Sequence, residues 1–274
     1  MTRISAVEDH HIAFALSLAD TARSLLHGQT HDALGISVKP DRSLVTQADL
    51  MIEHELRARI AAHYPDHGII GEEEGSHAPT ARAVWVIDPI DGTAPFIAGI
   101  PVYGTLIALA IDGVPRLGII DSAANDARWL GVEGRQTTLN GRPVQVRSCA
   151  DISRALMTNS NQDYMSAAEL PALEALRRAT ATRVYGGACI NYGRLAEGRT
   201  DLAMDAGQKI FDFAAFRPIV EGAGGVITDW AGAPLTLASG GRILGAGDPG
   251  VHRQALGIIE KLGISDTPPE LRAG

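Results

Sequence analysis

The stretch Trp85-Val86-Ile87-Asp88-Pro89-Ile90-Asp91-Gly92-Thr93 limits what this chain can be more than any other. An apolar run delivers two carboxylates, three positions apart, around a proline. Pro89 stiffens the backbone by fixing φ, and Gly92 lets the main chain come close to a ligand. Asp88 and Asp91 are then expected to project into one space. Two carboxylates held that close repel unless a proton or a cation lies between them. Mg²⁺ suits such a pair, because it takes oxygen ligands and binds through a few carboxylates plus water. No His or Cys stands nearby to favour zinc. Taken alone, the same residues also read as a surface Asp-Gly turn beside a helix cap.

Three further segments carry acids. Gly71-Glu72-Glu73-Glu74-Gly75 packs three of them side by side, which is either a solvated loop or a functional cluster. In Asp41-x-Ser43-x-Val45-Thr46-x-Ala48-Asp49, a turn leads into a helix start that Thr46 can cap. In Lys209-Ile210-Phe211-Asp212-Phe213-Ala214-Ala215, Asp212 opens an apolar helical segment that ends at Glu221-Gly222-Ala223-Gly224-Gly225. The net charge of −8 repels polyanions, so nucleic acid is a poor partner. That excess of acid is either spread over the surface or gathered around cations.

No apolar run reaches the roughly 18 residues a membrane helix needs, so no membrane association is expected. Met1 to Asp20 lacks the basic start and unbroken apolar core of a signal peptide. Cys149 and Cys189 suggest neither a disulfide framework nor a zinc site. A reducing cytoplasm is the expected location, and both are read as small buried residues.

Periodicity predicts helices over 5–27, 47–63, 168–179, 190–197, 211–221 and 249–262. Strands are expected at 69–70, at 83–87 (stopping at Asp88-Pro89), at 104–111, 116–120, 128–131 and 142–146. Further strands are expected near 156 and at 182–185, 201–204, 225–228 and 243–244. Strand runs in the first half and alternation in the second suggest a layered α/β architecture with two sheets. The boundary falls near 141, giving halves 1–141 and 142–274. Trp85, Trp129 and Trp230 read as core. His10, His11 and His27 read as exposed or capping residues rather than metal ligands.

In their joint order and spacing, these segments resemble the inositol monophosphatase superfamily of Mg²⁺-dependent, lithium-sensitive phosphatases. The likeness runs from about residue 10 to 260, through Asp41–Asp49, Gly71–Glu73, Trp85–Thr93, Gly186–Asp212 and Val220–Asp229. It implies an α/β (α+β) fold, the layered αβαβα sandwich of the inositol monophosphatase and fructose-1,6-bisphosphatase type, and a homodimer. It also implies two or three Mg²⁺ ions per active site. Glu72, Asp88 and the backbone carbonyl of Ile90 match ligands of a first ion. Asp88, Asp91 and Asp212 match ligands of a second. Asp49 and Thr93, with Glu72 nearby, match the residues that orient and deprotonate an attacking water. Gly92 and Thr93 match backbone N–H donors to phosphate. Gly186, Gly187 and Ala188 match a loop beside the leaving group, and Asp205 matches an acid that touches the substrate.

The resemblance therefore implies a phosphoric monoester hydrolase acting on a small phosphate monoester. Pro101–Leu109, Gly118–Asp121, Arg128–Gly131, Phe211-Asp212 and Pro218–Gly225 look more like the histidinol-phosphate phosphatase branch, which serves histidine biosynthesis, than the inositol branch. Four positions depart from that branch. Ala188 stands where it has an acid, Ala94-Pro95 where it has a basic residue and serine, Ser122-Ala123 where it has Gln-Pro, and Asp205 where it has a longer Glu. Histidinol phosphate is the leading expectation, with an inositol monophosphate or another sugar or polyol phosphate as the alternative. A catalytically silent metal- or phosphate-binding protein is the non-enzyme alternative.

Overall fold

The structure, a computed structural model, describes residues 6–28, 35–40 and 43–264. Helices α1 (Asp9–His27) and α2 (Gln47–His63) pack on each other, with a small hairpin of β1 (Ser37–Val38) and β2 (Leu44–Val45) between them in sequence. The larger sheet contains β3 (Gly68–Gly71), β4 (Ser76–His77), β5 (Ala83–Asp91), β6 (Gly104–Ile111), β7 (Val114–Ser122), β8 (Ala127–Val132), β9 (Thr138–Leu139) and β10 (Arg142–Pro143). Its order is β10-β9-β8-β7-β6-β5-β3-β4, antiparallel except where β3 meets β5. A short helix, α3 (Thr93–Ile97), follows β5. The second sheet contains β11 (Leu156–Asn159), β12 (Thr182–Tyr185), β13 (Leu202–Asp205), β14 (Val226–Thr228) and β15 (Ile243–Ala246), in the order β12-β11-β13-β15-β14. The remaining helices are α4 (Leu170–Ala179), α5 (Ile190–Ala196), α6 (Ile210–Phe213), α7 (Phe216–Gly222) and α8 (Pro249–Glu260).

Strand alternation dictates how these stack. On β5, Ala83, Trp85 and Ile87 join a core with α1 and α2, while Val84 and Val86 face the opposite core with α5 and α7. Both faces of the sheet are covered, which is why β5 and β6 read as unbroken apolar runs. Helix α7 lies directly on β7 and β8; a Cβ added at Gly131 would sit 2.4 Å from the Ile219 backbone. Helix α5 bridges to β13 and β15, and α4 and α8 close the far side over a third core. The layers are thus αβαβα, as expected. All three tryptophans are buried, as is Cys189, but Cys149 is half-exposed.

Among the differences from expectation, three have a clear physical reason or bear on the site. Strand β5 does not stop at Asp88-Pro89 but continues to Asp91. The single helix read over 211–221 is two, α6 and α7. Pro218 has no N–H to bond the Ala214 carbonyl, so one continuous ladder cannot form. The strand expected over 142–146 shrinks to Arg142–Pro143, because proline cannot donate to a sheet ladder. Among the described residues, no helix is long and apolar enough to cross a membrane.

Candidate active site

The site begins with an irregularity in β5. Asp88 stands opposite Leu106 of β6 and Asp91 opposite Gly104, so three steps on one strand match two on the other. In a regular strand, residues three apart point to opposite faces. The extra residue of the bulge returns them to one side. Pro89 lies within this bulge, where its missing N–H is tolerated, and the Thr105 hydroxyl donates to its carbonyl at 2.8 Å. As a result, Asp88, Asp91 and Asp212 each place a carboxylate oxygen within 4.8 Å of the others.

Asp212 reaches this point from the first turn of α6, where its Oδ2 accepts the Lys209 N–H at 2.5 Å. Lys209, not Asp212, is the N-cap of α6, and Asp212 caps it in return from the third position, which leaves its other oxygen for the cluster. Asp91 does the same, its Oδ2 accepting the Cys189 N–H at 2.5 Å. Asp88 differs: it is fully buried, and neither of its oxygens has a hydrogen-bond partner. Burial, reinforced by Glu72, Asp91, Asp212 and Asp49, pushes its carboxyl well above the usual range. Burial, then Asp91, does the same to Asp212, and burial raises Asp91. A buried carboxylate without a donor is untenable as an anion unless a cation accompanies it. An all-oxygen donor set of this kind fits a hard divalent ion such as Mg²⁺.

Glu72 follows β3, half-buried on the side of Asp88. The glutamate run is not a free acidic loop. Lys39 donates to Glu72 Oε1 at 2.9 Å and to Glu73 Oε1 at 2.7 Å. Burial outweighs Lys39 and raises the Glu72 carboxyl. Below the loop, buried Glu53 of α2 accepts the N–H groups of Glu73 at 2.7 Å and Glu74 at 2.9 Å. Neither Lys39 nor Glu53 stands out in the sequence, since each meets its partners about 20 residues or more along the chain. Asp41 lies outside the described residues.

Asp49 is buried in the first turn of α2, where Thr46 caps as expected, its Oγ1 accepting the Asp49 N–H at 3.4 Å; in return Asp49 Oδ2 accepts the Thr46 N–H at 2.8 Å and its hydroxyl at 2.6 Å. The other oxygen faces the Thr93 hydroxyl at 3.5 Å, while that hydroxyl also lies 3.0 Å from the Ile90 carbonyl. The Ile90 carbonyl is the nearer acceptor for this hydroxyl and the Asp49 carboxylate the more distant one. Burial pushes the Asp49 carboxyl up to about 6 against the Thr46 bonds. Gly92 starts α3 at φ +86°, and a Cβ there would meet the Val102 carbonyl at 2.8 Å and the Ala188 methyl at 3.3 Å. This close approach sets the Gly186-Gly187-Ala188 loop, which joins β12 to α5, against the start of α3. Ala188 itself adopts φ +46°, a left-handed conformation unusual for a non-glycine residue.

Asp205 departs from expectation. The sequence reading has it touch the substrate, yet it is 2% exposed at the end of β13. Its Oδ1 accepts Asn159 Nδ2 at 3.0 Å, the Ser160 N–H at 2.8 Å and the Ser160 hydroxyl; its Oδ2 accepts the Tyr192 hydroxyl at 2.9 Å. Both oxygens are engaged by the protein.

A model of the inositol monophosphatase family matches residues 8–263. The chain is 39% identical over 261 residues to the bifunctional phosphatase IMPL2, chloroplastic, of Arabidopsis thaliana, covering 92% of this chain and 75% of that protein. It is 36% identical over 223 residues to a histidinol-phosphatase of Chlorobaculum parvum, covering 81% and 86%. An inositol monophosphatase from Zymomonas mobilis superposes with a TM-score of 0.82 at 35% identity, over 95% of this chain and all of that one.

Proposed function

The chain belongs to the inositol monophosphatase family of metal-dependent phosphatases, and from that premise we propose that it hydrolyses a small phosphate monoester with Mg²⁺, histidinol phosphate first. The observation that carries the reading is Asp88, whose two buried oxygens lack partners at the centre of the three-carboxylate cluster.

Glu72, Asp88, the Ile90 carbonyl, Asp91 and Asp212 would hold two or three Mg²⁺ ions. When bound, Mg²⁺ supplies positive charge against the phosphate and lowers the pKa of a coordinated water. The protein's own part is positioning and proton transfer. Thr93 Oγ orients the attacking water, and Asp49, with its raised carboxyl pKa, receives the proton through that hydroxyl. The backbone N–H groups of Gly92 and Thr93 take phosphate oxygens, and Gly187 and Ala188 flank the leaving group.

The name of the Chlorobaculum parvum relative, and Phe211 before Asp212, support histidinol phosphate. A second reading rests on Ala188 and Asp205. The first offers no carboxylate, and the second has both oxygens occupied, so a substrate ammonium finds no free acid at either place. That favours an uncharged polyol such as inositol 1-phosphate. Phosphate release from the two substrates, with Mg²⁺ present and absent, tests both. Mg²⁺-dependent turnover, faster on histidinol phosphate and inhibited by lithium, is expected. Faster inositol 1-phosphate turnover selects the second reading, and release indifferent to Mg²⁺ ends both. A homodimer is also proposed, supported by the open edge strand β12 with exposed Val184 and Tyr185; sedimentation checks it.

A further inference from the structure

Asp205 is too well bonded to be idle and too deeply buried to greet a substrate. Its four donors come from two places. Asn159 and Ser160 lie at the end of β11, and Tyr192 lies in α5. The Tyr192 ring is itself buried and stacks on Phe216, with centroids 4.0 Å apart and planes 13° from parallel. That packing fixes the ring's plane, and the hydroxyl bond to Asp205 fixes its reach. Tyr192 and Cys189 are about one helical turn apart, and the Tyr192 N–H bonds the Cys189 carbonyl at 3.1 Å. The Cys189 N–H in turn bonds Asp91 Oδ2. The chain of contacts is continuous: β11, Asp205, Tyr192, one turn of α5, Cys189, Asp91.

We propose that Asp205 is a positioning residue that fastens the start of α5 to the second sheet, so that the Cys189 N–H holds Asp91 in register with Asp88 and Asp212. The proposal rests on the metal-dependent reading above. In it, Asp205 contributes to cation binding without touching cation or substrate. Substrate choice then falls to the rim of the site, where Ala188 stands.

The test uses Tyr192→Phe, which deletes one hydroxyl far from solvent, and Asp205→Asn, which keeps an acceptor for Ser160. Metal-free protein is titrated with Mg²⁺ by calorimetry, and KM and kcat are measured at saturating Mg²⁺. Tyr192→Phe is expected to weaken Mg²⁺ binding about threefold to tenfold, the scale of one buried hydrogen bond. Its substrate KM should stay within about twofold of wild type. Asp205→Asn should act in the same direction, and the double variant should be no worse than the more severe single one. A raised KM in Asp205→Asn with unchanged Mg²⁺ affinity in Tyr192→Phe makes Asp205 a substrate contact and overturns the proposal. Fewer binding sites of unchanged affinity make the role merely structural and also overturn it. Wild type that binds no Mg²⁺ overturns the metal reading itself, and the proposal with it.

Discussion

Asp49, Asp91 and Asp212 divide their oxygens in the same way. In each, Oδ2 accepts a backbone N–H, from Thr46, Cys189 and Lys209 respectively, and the remaining oxygen is left for the site. Helix capping and catalysis are therefore not rival explanations for these residues, since one carboxylate serves both. Asp88 stands apart because no N–H or hydroxyl of the described residues donates to it, and the side chain that meets it is another acid, Glu72. Asp88→Asn should accordingly lower phosphatase activity by several orders of magnitude while the fold persists. In EDTA at neutral pH, the same variant should be more stable than wild type to urea, because an amide stays uncharged beside Glu72, Asp91 and Asp212 whereas the carboxyl must take up a proton to be buried there. Activity near wild type, or a less stable metal-free protein, would contradict this account of Asp88.

At the scale of elements, α2 is the frame of the acidic loop. Glu53 holds the loop by two backbone N–H groups, and Arg57 adds a bond to the Gly75 carbonyl at 2.9 Å. Glu53→Ala should loosen Glu72 without deleting any proposed ligand. The expected result is a Mg²⁺ half-saturation raised about tenfold and a stability loss of about 2–3 kcal/mol, read by Mg²⁺ titration and urea unfolding. The start of α1 is pH-sensitive. His11 Nδ1 accepts the Glu8 N–H at 3.1 Å, and burial, then His10 and His67, lower its pKa from 6.5 to about 4. A lowered histidine pKa means the folded state prefers the neutral ring. The stability that follows is complete above about 6.5 and lost as pH falls towards about 4. His11→Gln keeps an acceptor that does not titrate. Across that window, unfolding free energy should fall more for wild type than for the variant; parallel curves would refute it.

Seen as a whole, the molecule draws its cluster from different layers. Asp88 and Asp91 come from the larger sheet, and Asp212 from the helices packed between the two sheets. Bound Mg²⁺ would tie those layers together, so thermal unfolding should shift upward with Mg²⁺. The gain is about 2.7 kcal/mol at about a hundredfold Kd, and it should vanish in Asp88→Asn. Much of this arrangement was legible beforehand. Thr46 and Tyr64-Pro65 bracket α2 at Gln47–His63, and the apolar run of β6 has the expected ends at Gly104 and Ile111. These depend on local chemistry. The bulge between Asp88 and Asp91 does not, because it exists only by pairing with β6. Lys39 against Glu72, and Tyr192 against Asp205, are likewise meetings that tertiary packing alone creates. The break before α7 had a local sign in Pro218, which the apolar periodicity around it masked.

The orphaned oxygens of Asp88 have one more consequence. A carboxyl whose pKa is raised by its surroundings retains hydrogen where a free acid would have shed it, and a divalent ion can enter only by evicting it. Loading the protein should therefore acidify an unbuffered solution in step with the sites filled, visible with an indicator dye, and affinity for the ion should climb with pH. Ion and proton compete for the same seat.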